Sequence, residues 1–279
     1  MNHLAKYIEE HIGSTPKAHF VLGSGLGSTL EEIANESGWN LVGQIGFEEI
    51  PELKNTTAPG HQGKYYFLKK ESHLISIQSG RLHGFEGHNP RDVVKTVTEV
   101  FDAGTQTFIL SNAAGSLQKS FSPGSCMVLE DHFNFTGKNP LIGENPCDEN
   151  GKAYGERFPD MTQAYDIELS KELKNALISQ NLEVHRGTYI GLLGPNYETP
   201  AEISLFSKWG MGAVGMSTVW EVIALRHRGA RVAALSFMSN YGAGLLNRDE
   251  LLDHEDVLKI GKEKAPLIIK AFLKIGEKI

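Results

Sequence analysis

The amino-acid sequence predicts an α/β fold: a single domain, residues 1–279, with a mixed, largely parallel central β-sheet flanked by helices. Short apolar runs recur along the chain, and each is followed by Gly, Ser or Asn and then by a helical pattern. The runs are continuous rather than alternating, which is typical of strands buried on both faces. Strands that alternate with helices indicate a largely parallel sheet with helices on both sides.

The strands are predicted at seven apolar runs: Ala18–Leu22, Leu74–Ile77, Thr107–Leu110, Met127–Leu129, Tyr189–Leu193, Ala213–Met216 and Val232–Phe237. Caps, apolar stripes and first-turn Pro residues predict the helices. These are a short amphipathic N-terminal helix, one starting near Thr29, Pro90–Phe101, Asp166–Gln180, one starting at Thr199, Thr218–Arg228, and Asp256–Lys278 with a bend or break near Pro266. Residues 132–160 form a long irregular stretch, which is typical of a functional or interface loop.

Composition limits the function. Apolar residues make up 40% and charged residues 22%, which excludes disorder as the main state. The formal charge of −7 argues against a nucleic-acid partner or an anionic membrane. A cytoplasmic protein is predicted, because the chain has two cysteines, no apolar run long enough to span a bilayer and no signal peptide. The eleven histidines show no metal-binding spacing, so no metal site is predicted.

The first strand ends in a glycine-rich turn, Gly23–Ser28, which precedes a helix. Such a turn lets backbone N–H groups surround an anion, and Ser24 adds a hydroxyl. A dinucleotide fingerprint requires Gly where this chain has Ser28, and a Walker A loop requires Gly-Lys-Ser/Thr, which is absent. A phosphate site and a merely tight strand–helix turn both remain open for this segment.

Two further strand ends suit an anion. Arg81 and His83 follow the second predicted strand and point the same way in an extended chain, and Glu86 can orient His83. The third strand ends in small residues, Ser111–Ser116, which free backbone N–H groups to face a ligand. A solvated surface loop and a tight crossover are the corresponding structural alternatives.

Two other strand ends suit a heterocycle. Glu198 lies beside Tyr197 just before a capped helix, and Asn240 follows the last strand with both a donor and an acceptor. Glu198 can equally serve only as a charge at the helix start. Met216 and Ser217, at another strand end, are by default a core residue and a helix cap.

Taken together and in this order, six motifs resemble the trimeric class of purine nucleoside phosphorylases, from about Val21 to His254. They are Leu-Gly-Ser-Gly-Leu-Gly, Gly-Arg-Leu-His-Gly-Phe-Glu-Gly, Ser-Asn-Ala-Ala-Gly, Gly-Pro-Asn-Tyr-Glu-Thr, Val-Gly-Met-Ser-Thr-Val, and Ser-Asn before Tyr241. The resemblance implies a phosphorylase/hydrolase-like fold. It also implies phosphorolysis of purine nucleosides to free base and pentose 1-phosphate, for purine salvage, with phosphate as co-substrate and no metal or organic cofactor.

The resemblance also implies residue roles. The phosphate site would comprise Ser24, His61, Arg81, His83, the backbone of Ala113, and Ser217. The nucleoside site would comprise Phe158, Tyr189, Tyr197, Glu198, Met216, Asn240 and His254, and the catalytic groups would be His83, Asn240 and Glu198. Phe158 would reach into the site of a neighbouring subunit, which implies a homotrimer.

A carboxylate at Glu198 has only acceptors, so it predicts 6-oxopurine nucleosides such as inosine and guanosine, whose ring N–H it can accept. The alternative in the same family is a methylthioadenosine phosphorylase, in which the position of Asn240 is typically Asp. Two other classes are a nucleotide-cofactor oxidoreductase, which lacks the third glycine here, and a non-catalytic nucleoside-binding protein, which has no need of phosphate groups.

Overall fold

A computed structural model describes residues 2–58, 60–148, 150–246 and 254–279. The described strands form one sheet: β1 Ala18–Leu22, β2 Asn40–Gly46, β3 Lys64–Lys70, β4 His73–Ser79, β5 Thr107–Ser116, β6 Cys126–Asn134, β7 Val184–Gly191, β8 Ala213–Gly215 and β9 Arg231–Tyr241. The α-helices are α1 His3–Tyr7, α2 Leu30–Glu36, α3 Pro90–Asp102, α4 Ile167–Ile178, α5 Pro200–Lys208, α6 Val219–His227 and α7 His254–Gly276.

The strand order is β2-β3-β4-β1-β5-β8-β7-β6-β9, and β9 also pairs with β5. This second pairing closes the later strands into a ring, while β2, β3, β4 and β1 extend from it as an open sheet. Parallel ladders join β1 to β4 and β5, β5 to β9, and β7 to β6 and β8. The other ladders are antiparallel, so the predicted mixed sheet is confirmed.

The core lies on both faces of the sheet. On β1, Phe20 belongs to an apolar cluster that includes Phe272 of α7, whereas its neighbour Val21 belongs to a second cluster with Val97 of α3 and Val222 of α6. All five residues of β1 are buried, because successive side chains point to opposite faces and each face is covered by helices. The continuous apolar runs therefore identified the central strands correctly.

The sequence prediction missed β2 and β3. Strand β2 lies at an edge of the sheet and is mostly exposed, so its polar residues conceal the pattern. The predicted strand bounds were also short: β5 and β9 continue into polar residues up to Ser116 and Tyr241. The run at Tyr189–Leu193 belongs to a strand that ends at Gly191, and residues 132–134 of the predicted irregular stretch belong to β6.

Of the bend or break expected near Pro266, the break is absent, because α7 continues through this residue to Gly276. The large apolar surface that α7 buries, from Ala265 to Ile275, outweighs the loss of one backbone hydrogen bond at the proline. Within the described part of the chain, none of the helices combines the length and apolar character that crossing a bilayer demands.

The carboxyl group of Glu99 is buried in the helical layer, outside the sheet. Glu99 of α3 is 8% exposed, and its Oε2 has no hydrogen-bond partner among the described residues. Burial, together with nearby Asp102 and Glu52, raises the pKa of Glu99 to about 7. The folded protein therefore holds the proton of Glu99 more tightly than the unfolded chain does, and ionisation of this group at higher pH destabilises the fold.

We predict that Glu99→Gln stabilises the protein at pH 8 but hardly at pH 5. The pKa of Glu99 is raised on folding from 4.5 to about 7. The stability that this group contributes is thus present below pH 4.5 and is lost as the pH rises through 7. The variant avoids that loss, which is worth roughly 3 kcal/mol at pH 8. Thermal unfolding at both pH values checks this, with the exposed Glu32→Gln as control; an equal change in Tm at the two pH values would contradict it.

Candidate active site

The ends of β1, β4, β5, β8 and β9 meet at a cavity of about 330 Å³. Ten of the residues singled out in the sequence line it, although they lie far apart along the chain: Ser24, His61, Arg81, His83, Ala113, Tyr197, Glu198, Met216, Ser217 and Asn240. The cavity is also lined by Phe85, Pro195, Val214 and Ser239, among others. Groups suited to an anion and groups suited to a heterocycle therefore share one cavity.

Within the lining of the cavity, His61 connects two chain segments. Its Nδ1 accepts a hydrogen bond from the backbone N–H of Arg81 at 2.8 Å, and its Nε2 lies 2.7 Å from Ser24 Oγ. Because Nδ1 is an acceptor, the neutral ring carries its proton on Nε2, which donates to Ser24. Gly80 permits this contact: its φ is +94°, and a Cβ there would lie 2.9 Å from the Cβ of His61.

The Arg81 guanidinium is only 1% exposed and is held on several sides. Its Nη1 donates to Ser217 Oγ at 2.8 Å and to Thr218 Oγ1 at 3.2 Å, and its Nη2 donates to the carbonyl of Ser111 at 2.7 Å. Its Nε lies 3.6 Å from Glu221 Oε1, whose side chain is also 1% exposed. Most donors of Arg81 are thus committed to the protein, and its charge is balanced by a buried carboxylate.

His83 is oriented by Glu86. The Nδ1 of His83 lies 3.0 Å from Glu86 Oε1, and the ring stacks on Phe85 with centroids 4.5 Å apart. Burial lowers the pKa of His83, Glu86 opposes this effect and Arg81 adds to it, so the imidazole is neutral at pH 7. Burial would raise the pKa of Glu86, but hydrogen bonds from His83 and Thr57 outweigh it and lower that pKa to about 2.

Glu198 and Asn240 line the same cavity. Glu198 is 9% exposed, and burial raises the pKa of its carboxyl group. Asn240 donates from Nδ2 to the carbonyl of Tyr241 at 2.8 Å, and its Oδ1 accepts from Ser239 Oγ at 2.8 Å. These two contacts fix the orientation of the amide and leave the second N–H of Nδ2 available to a ligand.

Two predicted site residues, Tyr189 and Phe158, do not line this cavity. Tyr189 is fully buried behind it, and its hydroxyl accepts from the backbone N–H of Ser217 at 3.4 Å. Phe158 lies on the surface and is 89% exposed. His254 begins α7, but its side chain lies outside the described residues.

Sequence reasoning missed two residues beside the cavity. Glu221 is the one charge in the otherwise apolar first two turns of α6, and a carboxylate in a fully buried helix is a signal that could have identified it. Thr218 looked like an ordinary helix cap, and only the structure reveals its contacts with Arg81 and Asn112. Among the described residues, no cluster of three or more His, Cys, Asp or Glu side chains could hold a metal ion.

Known proteins share this architecture. The sequence model of a protein family, the phosphorylase superfamily, matches residues 20–274 of this chain. Purine nucleoside phosphorylase 1 of Bacillus subtilis is 37% identical over 276 residues, which cover 99% of this chain and 95% of the relative. Purine nucleoside phosphorylase of Bos taurus is 34% identical over 266 residues, which cover 94% of this chain and 88% of the relative.

Solved structures agree with these sequence relatives. Purine nucleoside phosphorylase of Schistosoma mansoni in complex with inosine is 32% identical, with a TM-score of 0.84 over 99% of this chain and 94% of that one. A Schistosoma purine nucleoside phosphorylase in complex with guanosine gives a TM-score of 0.83 at 32% identity, over 99% of this chain and 95% of that one. The resemblance found in the six motifs is confirmed: this chain belongs to the purine nucleoside phosphorylase family and is an enzyme of that activity.

Proposed function

We propose that the enzyme acts on 6-oxopurine nucleosides such as inosine and guanosine, releasing the base and a pentose 1-phosphate. One observation carries this proposal: Glu198 and Asn240 line the same cavity as Ser24, His61 and Ser217. A nucleoside bound between them would present its base to the first pair and the lower face of its sugar to the second group. We also propose that residues 1–279 act as one domain, in the cytoplasm.

The chemistry of N-glycosidic cleavage explains why the cavity needs two kinds of groups, one for the sugar and phosphate and one for the base. Breaking an N-glycosidic bond builds positive charge on the sugar and negative charge on the departing base. Groups placed where charge develops are usually the largest catalytic contribution. Phosphate beneath the sugar is both nucleophile and counter-charge, and its ligands would be Ser24, His61, Arg81, His83, the Ala113 N–H, and Ser217. Asn240 would donate to ring nitrogen 7 of the purine as that atom gains charge.

Glu198 selects the base. Hypoxanthine and guanine carry an N–H at ring position 1, whereas adenine has a lone pair there. An ionised Glu198 offers acceptors only, so adenine would leave a buried carboxylate unpaired. Crystal structures of Schistosoma relatives contain inosine, guanosine and hypoxanthine, which supports this preference, although one of them contains adenosine. Tyr197 and Met216 would pack against the base and the pentose.

We predict that Glu198→Gln lowers kcat/KM for inosine by one to a few powers of ten, because a charge-assisted hydrogen bond is worth about 1.5–3 kcal/mol. The matched control is Glu202→Gln, which removes the same charge four residues away. Glu202 completes a capping box with Thr199, a role that Gln also fulfils. Steady-state kinetics with inosine, adenosine and methylthioadenosine measure the effect. Unchanged inosine kinetics in Glu198→Gln, or a wild type that prefers methylthioadenosine, would contradict the proposal.

We further propose a homotrimer in which Phe158 completes the nucleoside site of a neighbour. Phe158 is 89% exposed and lies outside the cavity of its own chain. The segment before it is held in place: Arg157 Nη1 donates to the carbonyl of Leu141 at 2.9 Å, and Asn145 Nδ2 donates to the carbonyl of Gly155 at 2.9 Å. The exposure of Phe158 leaves its ring available to a neighbouring subunit, which is the role that the family resemblance implies.

Subunit complementation tests this arrangement. Phe158→Ala should raise the KM for inosine while leaving the KM for phosphate near the wild-type value. Glu198→Ala should be nearly inactive but would still supply Phe158. Co-expressed, the two variants should form mixed trimers in which some Phe158→Ala sites receive an intact Phe158 and regain a low inosine KM. A monomer in solution, or no recovery in the mixed oligomer, would contradict the proposal.

A further inference from the structure

Thr218 stands out because its backbone conformation is rare for its residue type. Its φ is +70° and its ψ is −47°, and the N–H of Val219 donates to the carbonyl of Ser217 at 2.8 Å. This is a γ-turn of the uncommon, strained kind, and a β-branched residue with positive φ is a true outlier. Strain of this sort persists only where the surroundings over-determine it, and it concentrates at functional sites.

The hydroxyl of Thr218 is buried and has three polar neighbours. It lies 2.8 Å from Asn112 Nδ2, 3.2 Å from Arg81 Nη1 and 3.2 Å from Ser217 Oγ. The side chain is 2% exposed, and Thr218 does not line the large cavity. It therefore acts on the cavity through its neighbours and does not touch a ligand there.

Counting donors and acceptors assigns a direction to each contact. The two nitrogen groups, from Asn112 and Arg81, can only donate, so they fill both lone pairs of Thr218 Oγ1. Thr218 then cannot accept from Ser217 and must donate to it. Ser217 Oγ also accepts from Arg81 Nη1 at 2.8 Å, so its own lone pairs are filled as well. In this network of donors the proton of Ser217 has no acceptor, so it is left to the Tyr189 hydroxyl beside it or to the cavity that Ser217 lines.

We infer that Thr218 is a positioning residue that makes the Ser217 hydroxyl an obligate donor toward an anion. Without the Thr218 hydroxyl, Ser217 could turn its proton inward and present a lone pair to the cavity, which would repel a phosphate oxygen. The strained turn holds Thr218 where its hydroxyl reaches Ser217, Arg81 and Asn112 together. The inference rests on the proposed phosphate site and adds a residue that selects for its anionic substrate.

The test distinguishes the effect of the Thr218 hydroxyl from the effect of the shape of the side chain. Thr218→Val keeps the β-branch, and hence the backbone strain, but removes the hydroxyl. We expect the KM for phosphate to rise about tenfold and the KM for inosine to change less than about twofold. Calorimetric titration of inorganic phosphate into the free enzyme should show the same loss of affinity. Thr218→Ser, which restores the hydroxyl, should stay within about threefold of the wild type.

Two further variants serve as controls for a general loss of structure. Thr218→Ala removes the same hydroxyl without adding a methyl group and should show the same selective loss of phosphate affinity, even if Thr218→Val folds poorly. Thr96→Val removes a buried hydroxyl on α3, where Thr96 Oγ1 donates to the carbonyl of Val93, and should leave both KM values unchanged. Equal rises in both KM values for Thr218→Ala would indicate a merely structural role and overturn the inference.

A double-mutant cycle tests the route through Ser217. If Thr218 acts through that hydroxyl, Thr218→Val should add little to the loss already caused by Ser217→Ala. Additive losses, or a normal phosphate KM in Thr218→Val, would overturn the inference and leave the proposed function intact. A wild-type enzyme that consumes inosine equally well without phosphate would instead overturn the proposed function.

Discussion

The structure around the cavity depends on the burial of one guanidinium group. A charged group so removed from water is tolerated only when its charge is balanced and its donors are satisfied. Arg81 meets most of this condition: Glu221 of α6 balances its charge at 3.6 Å from Nε, and the two Nη groups donate to the hydroxyls of Ser217 and Thr218 and to a carbonyl of β5 at Ser111. The partners of Arg81 thus come from separate chain segments, and satisfying them brings the ends of β4, β5 and β8 together. The cavity is a consequence of that convergence.

The same pairing shapes the electrostatics of the site. Glu221 balances Arg81, and His83 is neutral at pH 7 because burial lowers its pKa. An anion there would therefore be held mainly by oriented donors, such as the Ser24 and Ser217 hydroxyls, rather than by a large excess of positive charge. Oriented dipoles in a water-poor site cost little reorganisation when charge develops. A chain with a net charge of −7 can in this way bind a small anion without a broad basic surface.

Much of this arrangement was predictable from sequence because the chemistry lies where strands end. Continuous apolar runs located β1, β4 and β9, and in a parallel sheet the groups that follow such strands meet at one edge. The edge strand β2 was missed because its exposed residues do not form an apolar run. The family resemblance supplied proposed residue roles that no spacing could give, including the one proposed for Phe158.

The other features of the site could be recognised only from contacts in three dimensions. Thr218 carries the pattern of an ordinary helix cap, and neither its φ nor its link to Asn112 can be inferred from neighbouring residues. The pairing of Arg81 with Glu221 joins residues 140 positions apart, and nothing local encodes it. Sequence therefore predicts which groups reach the cavity, whereas the structure determines how their hydrogen bonds are directed.

In the proposed reaction, a phosphate held beneath the sugar attacks the carbon from which the purine departs. The most direct measurement is to follow oxygen isotopes during the cleavage of inosine in unlabelled water with phosphate that carries ¹⁸O. We expect pentose 1-phosphate whose bridging oxygen carries the label, formed in equal amount to the free base. Free pentose that carries an oxygen from water, with the phosphate left unchanged, would contradict it.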